Sequence, residues 1–299
     1  MRKKKIQLFD LVNLFVMLAV LFATLYPLYF TVIASVSDAH AVASGKVVWI
    51  PKGFNLNAYK HVFVYKQIWV GYGNTIFYTI FGTLFNIFLT IPAGYALSKD
   101  YLPRSKWIMT FFLITMYFGG GMIPSYLLRK SLGILNTRLV MIITSGISIY
   151  NLIVTRTYFS SSISQSLYEA ADMDGAGEFK KFFSIGLPLA KPITAVIVLY
   201  YAVGHWNDYF HALLYISSSE LEPLQTVLRK VLLQNQNALN DEILRQQSIE
   251  QLMAAVNKAN AAYTMKYAMV FIASAPLLIA YPFVQKYFVK GTMVGAVKE

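Results

Sequence analysis

Long apolar runs alternate with short polar segments along most of this sequence. A helix of about 20 apolar residues reaches across a hydrocarbon core of about 30 Å. Six runs are long enough, at roughly 8–36, 72–98, 107–128, 139–155, 193–216 and 267–285. The second, third and fourth contain no Asp, Glu, Lys or Arg. The pattern predicts an all-α integral membrane protein, a single domain over residues 1–299. Pro27, Pro92, Pro276 and Pro282 fall inside these runs, as do Gly119, Gly120 and Gly121 with Pro124. Such prolines are common in membrane helices and suit a hinge equally well. Three successive glycines sacrifice about 1 kcal/mol of helix propensity each, so the third span is expected to break or bend.

An even number of spans puts both termini on one side, and Lys and Arg indicate which. The dense clusters at Arg2–Lys5 and at Lys99, Arg104 and Lys106 favour an inside N-terminus. Segment 156–191 is then also inside, and the long polar segment 217–266 outside. The opening MRKKK, an apolar stretch and Ala41-Val42-Ala43 are the ingredients of a cleavable leader. The stretch is nearly twice too long for one, and the small residues lie well beyond its end, so an uncleaved first span is expected. In the outer segment, Leu224, Val227, Leu228, Val231 and Leu232 repeat at helical spacing, with Arg229 and Lys230 opposite. A helix lying on the outer membrane surface and one packed against the spans fit this pattern equally.

Composition agrees with the pattern. Hydrophobic residues make up 57% of the chain and charged ones 13%, with a mean hydropathy of +0.50. A soluble domain carries about 25% charged residues. The net charge of +12 comes from basic residues that flank apolar runs and form no stripe, which points to membrane lipid and not to nucleic acid. The absence of cysteine excludes disulfides, thiolate nucleophiles and cysteine-ligated metal sites. There is no G-x-x-x-x-G-K-[ST] phosphate loop, no H-E-x-x-H and no G-x-S-x-G. No catalytic or metal-ligating residues are therefore predicted, and no cofactor in this chain.

An ion-driven carrier would place ionisable residues at mid-membrane. The clear candidate is Asp208, within His205-Trp206-Asn207-Asp208-Tyr209-Phe210-His211. At a rise of about 1.5 Å per residue it falls toward the outer end of the fifth span, where capping or subunit contact also suits it. His205, Trp206, Asn207 and Asp208 are the candidates for lining a substrate pathway. The aromatic residues here suit stacking on sugar rings and an interfacial belt equally.

The sharpest feature is a polar hairpin between apolar runs, EAADMDGAGEFKKFFSIGLP at Glu169–Pro188. Ser166, three residues before Glu169, predicts a capping box. A short helix over Leu167–Asp174 is expected, ended by Gly175, then a second over Glu178–Phe183 closed by Leu187-Pro188.

Glu169-Ala170-Ala171, three residues, Gly175, nine residues and Ile185-x-Leu187-Pro188 together resemble the EAA signature of bacterial ABC importer permeases. FGGGMIPSYLL (118–128), LGILNT (132–137), GHWNDYF (204–210), PLQTVLRKVL (223–232) and QKYFVKG (285–291) resemble its maltose and oligosaccharide branch. Ser164 and Ser166 stand where that family often has Pro and Glu. The resemblance implies a type I importer permease fold of six helices, with a cytoplasmic loop whose short coupling helix seats in a cleft on an ATPase. Glu169, Ala170, Ala171, Asp172, Asp174, Gly175, Leu187 and Pro188 would be the coupling residues. Glu169 would pair with a basic residue of the ATPase, assisted by Asp172 and Asp174, and the two alanines would keep the helix slim.

The resemblance further implies a second permease, two ATPase subunits that bind ATP–Mg, and an extracellular or periplasmic sugar-binding protein. The cargo would be an oligosaccharide, and the location a bacterial cytoplasmic membrane. The residues alone leave open an importer permease for amino acids or peptides, an ion-coupled carrier, and a membrane-anchored assembly or sensory protein.

Overall fold

The first apolar run is one helix, α1 (Leu8–Ser35), in the computed structural model, which describes residues 8–233 and 249–296. Its apolar side chains stay exposed over most of its length, the surface of a helix set in hydrocarbon. At its end Ile33 and Ala34 are buried with Val42 and Val47. Asp38 caps the next helix, α2 (Ala39–Ala43), accepting from the amides of His40 at 3.0 Å and Ala41 at 3.1 Å. α3 (Asn57–Val64) follows. These elements form one compact unit, the chain up to Ile68 with Leu228–Ala275, in which Phe30 meets Tyr267 edge-on at 5.6 Å.

The second unit joins Trp69–Val227 with the chain from Pro276, and most of α4 (Lys66–Leu97) is its spine. Thr75, Asn86 and Thr90 are fully buried on α4. α5 (Ser105–Tyr117) and α6 (Met122–Ser131) are separated by the three glycines and meet at 111°, so the third span bends where the sequence places its weak point.

The fourth run departs from expectation. Instead of one helix over 139–155, α7 (Arg138–Ile143) and α8 (Ile149–Ser161) flank a non-helical stretch at 144–148. The buried amide of Asn86 explains why the break is tolerated: it donates to the freed carbonyls of Ser145 and, at 2.8 Å, Gly146. Backbone groups released within a membrane need such a partner. α8 then crosses α4 at Gly94, where a Cβ would stand 2.5 Å from Thr155 Cγ2.

The polar hairpin comprises α9 (Gln165–Met173), α10 (Glu178–Lys181), a π turn (Phe182–Gly186) and α11 (Leu187–Leu189). The fifth run is likewise divided, into α12 (Lys191–Trp206) and α13 (Phe210–Tyr215), with Asn207–Tyr209 between them. A further helix, α14, covers 224–233 among the described residues, and α15 is Ile249–Ala296.

The start of α14 is tied to α4. Leu224 N–H donates to Thr75 Oγ1 at 2.8 Å, and Asn74 donates to the carbonyls of Glu220 and Glu222. Leu224, Val227, Leu228 and Val231 are buried, so the apolar face of this helix packs within the protein and does not lie on the membrane surface. Residues 234–248 of the predicted outer segment lie outside the described residues. Among the described residues, three helices are long and apolar enough to cross a membrane alone: Leu8–Ser35, Lys66–Leu97 and Asn260–Pro282. Counting the α5–α6 pair and the pair of Glu178–Leu189 with α12, bent by 78°, raises this to five.

Candidate functional site

The hairpin is built around Tyr168. α9 begins at Gln165, not Leu167, and this register turns Tyr168 and Ala171 inward, one turn apart. Tyr168 joins a buried cluster with Ile91, Tyr95, Phe159 and Phe182. The expected capping box is not formed. Ser166 lies inside the first turn, its hydroxyl bonded to that of Ser164 at 2.7 Å, and no side chain caps the helix. Burying a tyrosine ring is worth more than the roughly 1 kcal/mol of a cap, so packing sets the register.

The C-terminus follows expectation. Gly175 has φ +68°, its amide donates to Asp172 O at 3.0 Å, and Ala176 N–H donates to Ala171 O at 2.9 Å. That double bond is the Schellman closure, which needs a left-handed residue at this position.

The second arm differs from expectation at Leu187-Pro188, which does not close it. Leu187 N–H reaches back five residues to Phe182 O, and the helical path runs on to Leu189. Pro188 has no N–H to give, and the widened turn before it keeps Phe182 buried while Gly186 lies against the Tyr95 ring.

Charges lock the two arms together. Lys181, only 4% exposed, places Nζ 2.5 Å from both Asp172 Oδ1 and Glu178 Oε1. The Tyr101 hydroxyl also donates to Glu178. The hydrogen bonds that Lys181 donates to Asp172 and Glu178 hold its ammonium above its usual range. For Glu178 burial acts to raise the carboxyl, but hydrogen bonds from Lys181 and Tyr101 outweigh it and the net direction is down. Burial of Tyr101, with its bond to Glu178, raises the phenol to about 12. Lys99 lies over the Tyr168 ring, and its burial lowers it to about 8. Among the polar residues that the hairpin leaves uncovered stand two large apolar side chains: Met173 is 89% exposed and Phe179 82%.

A second feature is a cavity of about 1020 Å³ between the start of α8 and the end of α12. Tyr150 and Tyr200 flank it, ring centres 6.4 Å apart. Asn207, Asp208 and His211 line one end, with the Asp208 carboxylate 2.9 Å from His211 Nδ1. The back wall is fixed: Tyr201 accepts from Ser148 N–H at 2.9 Å and bonds Thr90 Oγ1 at 2.8 Å.

Residues 68–294 match the family described as the binding-protein-dependent transport system inner membrane component. The chain belongs to this family. It is 36% identical to protein LplC of Bacillus subtilis (strain 168), covering 98% of this chain and 95% of LplC. It is 34% identical to the polygalacturonan/rhamnogalacturonan transport system permease protein YtcP of the same organism, covering 98% and 99%. Its fold is similar to a chain of a bacterial ABC transporter that imports the acidic polysaccharide alginate. There the TM-score is 0.81 and the identity 33%, over 96% of this chain and 99% of that one.

In this inner membrane component, the eight signature positions divide by environment. Glu169, Ala170, Asp174, Gly175 and Pro188 are exposed, whereas Ala171 is buried, Leu187 partly covered, and Asp172 engaged by Lys181. Of the four pathway candidates, His205, Asn207 and Asp208 line the cavity. Trp206 does not; it is buried, its ring 6.3 Å from Tyr72. His205 forms part of the wall: buried, it donates through Nε2 to Asn86 Oδ1 at 2.7 Å.

Sequence reasoning missed Tyr150, Asn151 and His211 as lining residues, and missed Lys181 as the clasp of the hairpin. The spacing Asp172…Glu178…Lys181 was the available signal. Two carboxylates, one on each side of a glycine turn, precede a lysine within one helical turn of the second.

Proposed function

We propose that this chain is one permease subunit of an ATP-driven, binding-protein-dependent importer of oligosaccharides. It crosses a bacterial cytoplasmic membrane six times with both termini inside, counting α7 and α8 as one broken span. It forms half of the pathway beside a second permease. Two ATPase subunits bind the cytoplasmic loop 156–191 and carry the ATP–Mg, and a sugar-binding protein delivers cargo from outside. This chain is the non-catalytic part. The names of YtcP and of the alginate importer support a saccharide cargo.

The observation that carries the proposal is the pairing of a braced hairpin with an uncovered apolar tip. Tyr168 and Phe182 root the loop in the cluster shared with α4, α8 and α12, while Met173 and Phe179 project from it. Large apolar side chains on a polar segment mark a protein contact. Closure of the ATPase pair pulls on the α9 tip, and the rooted residues pass that displacement to the spans. Alternating access then follows as the two permeases rock around the pathway. Glu169 and Asp174, both exposed, are placed to pair with basic groups at the rim of the ATPase cleft.

A tagged copy expressed with its neighbouring subunits should recover an ATPase, a second permease and a sugar-binding protein, and should support uptake of labelled oligosaccharide. Met173→Asp should reduce ATPase recovery at least tenfold. Uptake that persists after deletion of residues 169–175 would overturn the coupling role.

A further inference from the structure

The cavity between α8 and α12 is faced by a side-chain amide that no group among the described residues bonds. Asn151 is 5% exposed, yet among the described residues its carboxamide bonds no protein group; it opens to the cavity. Its backbone is fully used, with its N–H donating to Ser148 Oγ at 3.5 Å and its carbonyl accepting from Thr155 Oγ1 at 2.7 Å. Open to the cavity and unclaimed by the protein, the amide is left to bond whatever occupies that space. A carboxamide offers two donors and an acceptor, which matches vicinal hydroxyls.

The rest of the lining fits the same class of ligand. Tyr150 and Tyr200 both line the cavity and are exposed, and the apolar C–H face of a pyranose stacks on such rings. Asn207 adds a second amide. The charge balance narrows the class further. Among the described lining residues Asp208 is the only carboxylate, it is already held by His211, and there is no Lys or Arg. A sugar carrying its own carboxylate would be set near a like charge, with no fixed cation to receive it.

We propose that this cavity is a subsite for an uncharged sugar residue, stacked on Tyr150 and Tyr200 and hydrogen-bonded by Asn151. The proposal rests on the reading of the chain as an oligosaccharide importer permease. It sets this chain's cargo apart from the acidic polymer of the alginate importer.

The test uses the intact permease–ATPase complex in nanodiscs without its sugar-binding protein, so that the receptor's own selectivity does not enter. Saturation-transfer NMR is recorded with maltotriose, raffinose and trigalacturonate in equal concentrations. A neutral sugar should show at least a fivefold larger transfer than trigalacturonate, and Asn151→Ala should reduce that signal at least fivefold. Tyr150→Ala, made on an exposed ring, should do the same and serves if Asn151→Ala does not assemble. Trigalacturonate giving the larger transfer, or signals unchanged in both variants, would overturn the proposal. So would absence of transfer from every sugar. The oligosaccharide-importer reading is judged separately, by uptake with the receptor restored. Uptake without transfer sinks only the subsite, and no uptake of any sugar sinks both.

Discussion

The ammonium of Lys99 lies 2.9 Å from the centre of the Tyr168 ring, joining the end of α4 to the first helix of the hairpin. Burial lowers this lysine to about 8, from 10.5 for the exposed group. Between those values the unfolded chain binds more protons than the folded one, so stability rises with pH across that window. Below about 8 the cost of burying the charge is fully present. Melting of the detergent-purified protein should therefore improve from pH 7.5 to 9.5 relative to Lys99→Met. An unchanged difference between the two proteins would show that the ammonium is not held out of water.

Lys181 should matter more than a surface pair. Exposed ion pairs contribute about 0–1 kcal/mol, but Lys181 is buried and serves two carboxylates that are themselves about half exposed. Lys181→Met leaves Asp172 and Glu178 facing one another and is expected to cost about 1–3 kcal/mol. Glu178 is held down in the folded state, so its contribution is present above about pH 4.5 and lost as pH falls through its folded value. The gap in melting temperature between wild type and variant should shrink at pH 4. A constant gap would point to lost packing alone.

Gly175 separates backbone strain from steric fit. A Cβ built there meets nothing within 4 Å, yet φ is +68°. Gly175→Asn should be tolerated, because asparagine visits this region, whereas Gly175→Val should cost about 1–2 kcal/mol or more. Uptake and ATPase activity of the assembled transporter would read this out, with the valine variant hydrolysing ATP at a reduced yield of transport. Equal effects of the two substitutions would instead indicate that the ATPase cleft excludes any side chain there.

Gly82 and His205 form a pair that can be tested by a double-mutant cycle. A Cβ at residue 82 would collide with the His205 ring, which Asn86 holds in place. Gly82→Ala alone is expected to cost about 1–3 kcal/mol by overpacking. Combined with His205→Ala the two losses should add to less than their sum, because the smaller side chain removes the clash. Strict additivity in thermal melting would refute direct contact.

Apolar run length made α1 and α4 legible, because each is one unbroken helix whose register needs no knowledge of neighbours. The bend at Gly119–Gly121 was legible for the opposite reason: three glycines weaken a helix regardless of context. The break at 144–148 was not, since it exists only because Asn86, some sixty residues earlier in the chain, supplies hydrogen bonds to its carbonyls. The hairpin divides in the same way. Gly175 announced its turn, a local backbone requirement. The capping box at Ser166 was overruled by burial of Tyr168, a tertiary effect. The cavity was half visible: the polar cluster His205–Asp208 drew notice, but Tyr150 and Asn151 sit within an apolar run and gain meaning only when α12 lies beside them.

The five residues Phe182–Gly186 carry one more residue than an ordinary helical turn would hold. Five residues in this wider turn sweep nearly the same angle as four at about 100° each in a regular α-helix, so removing one would leave everything downstream facing almost as before. Ile193 and Ile197 would keep their place in the cluster they share with Tyr95. An added residue, with no further widening to absorb it, would instead rotate the whole fifth span by about 100°. The stretch thus tolerates shortening by one far better than lengthening.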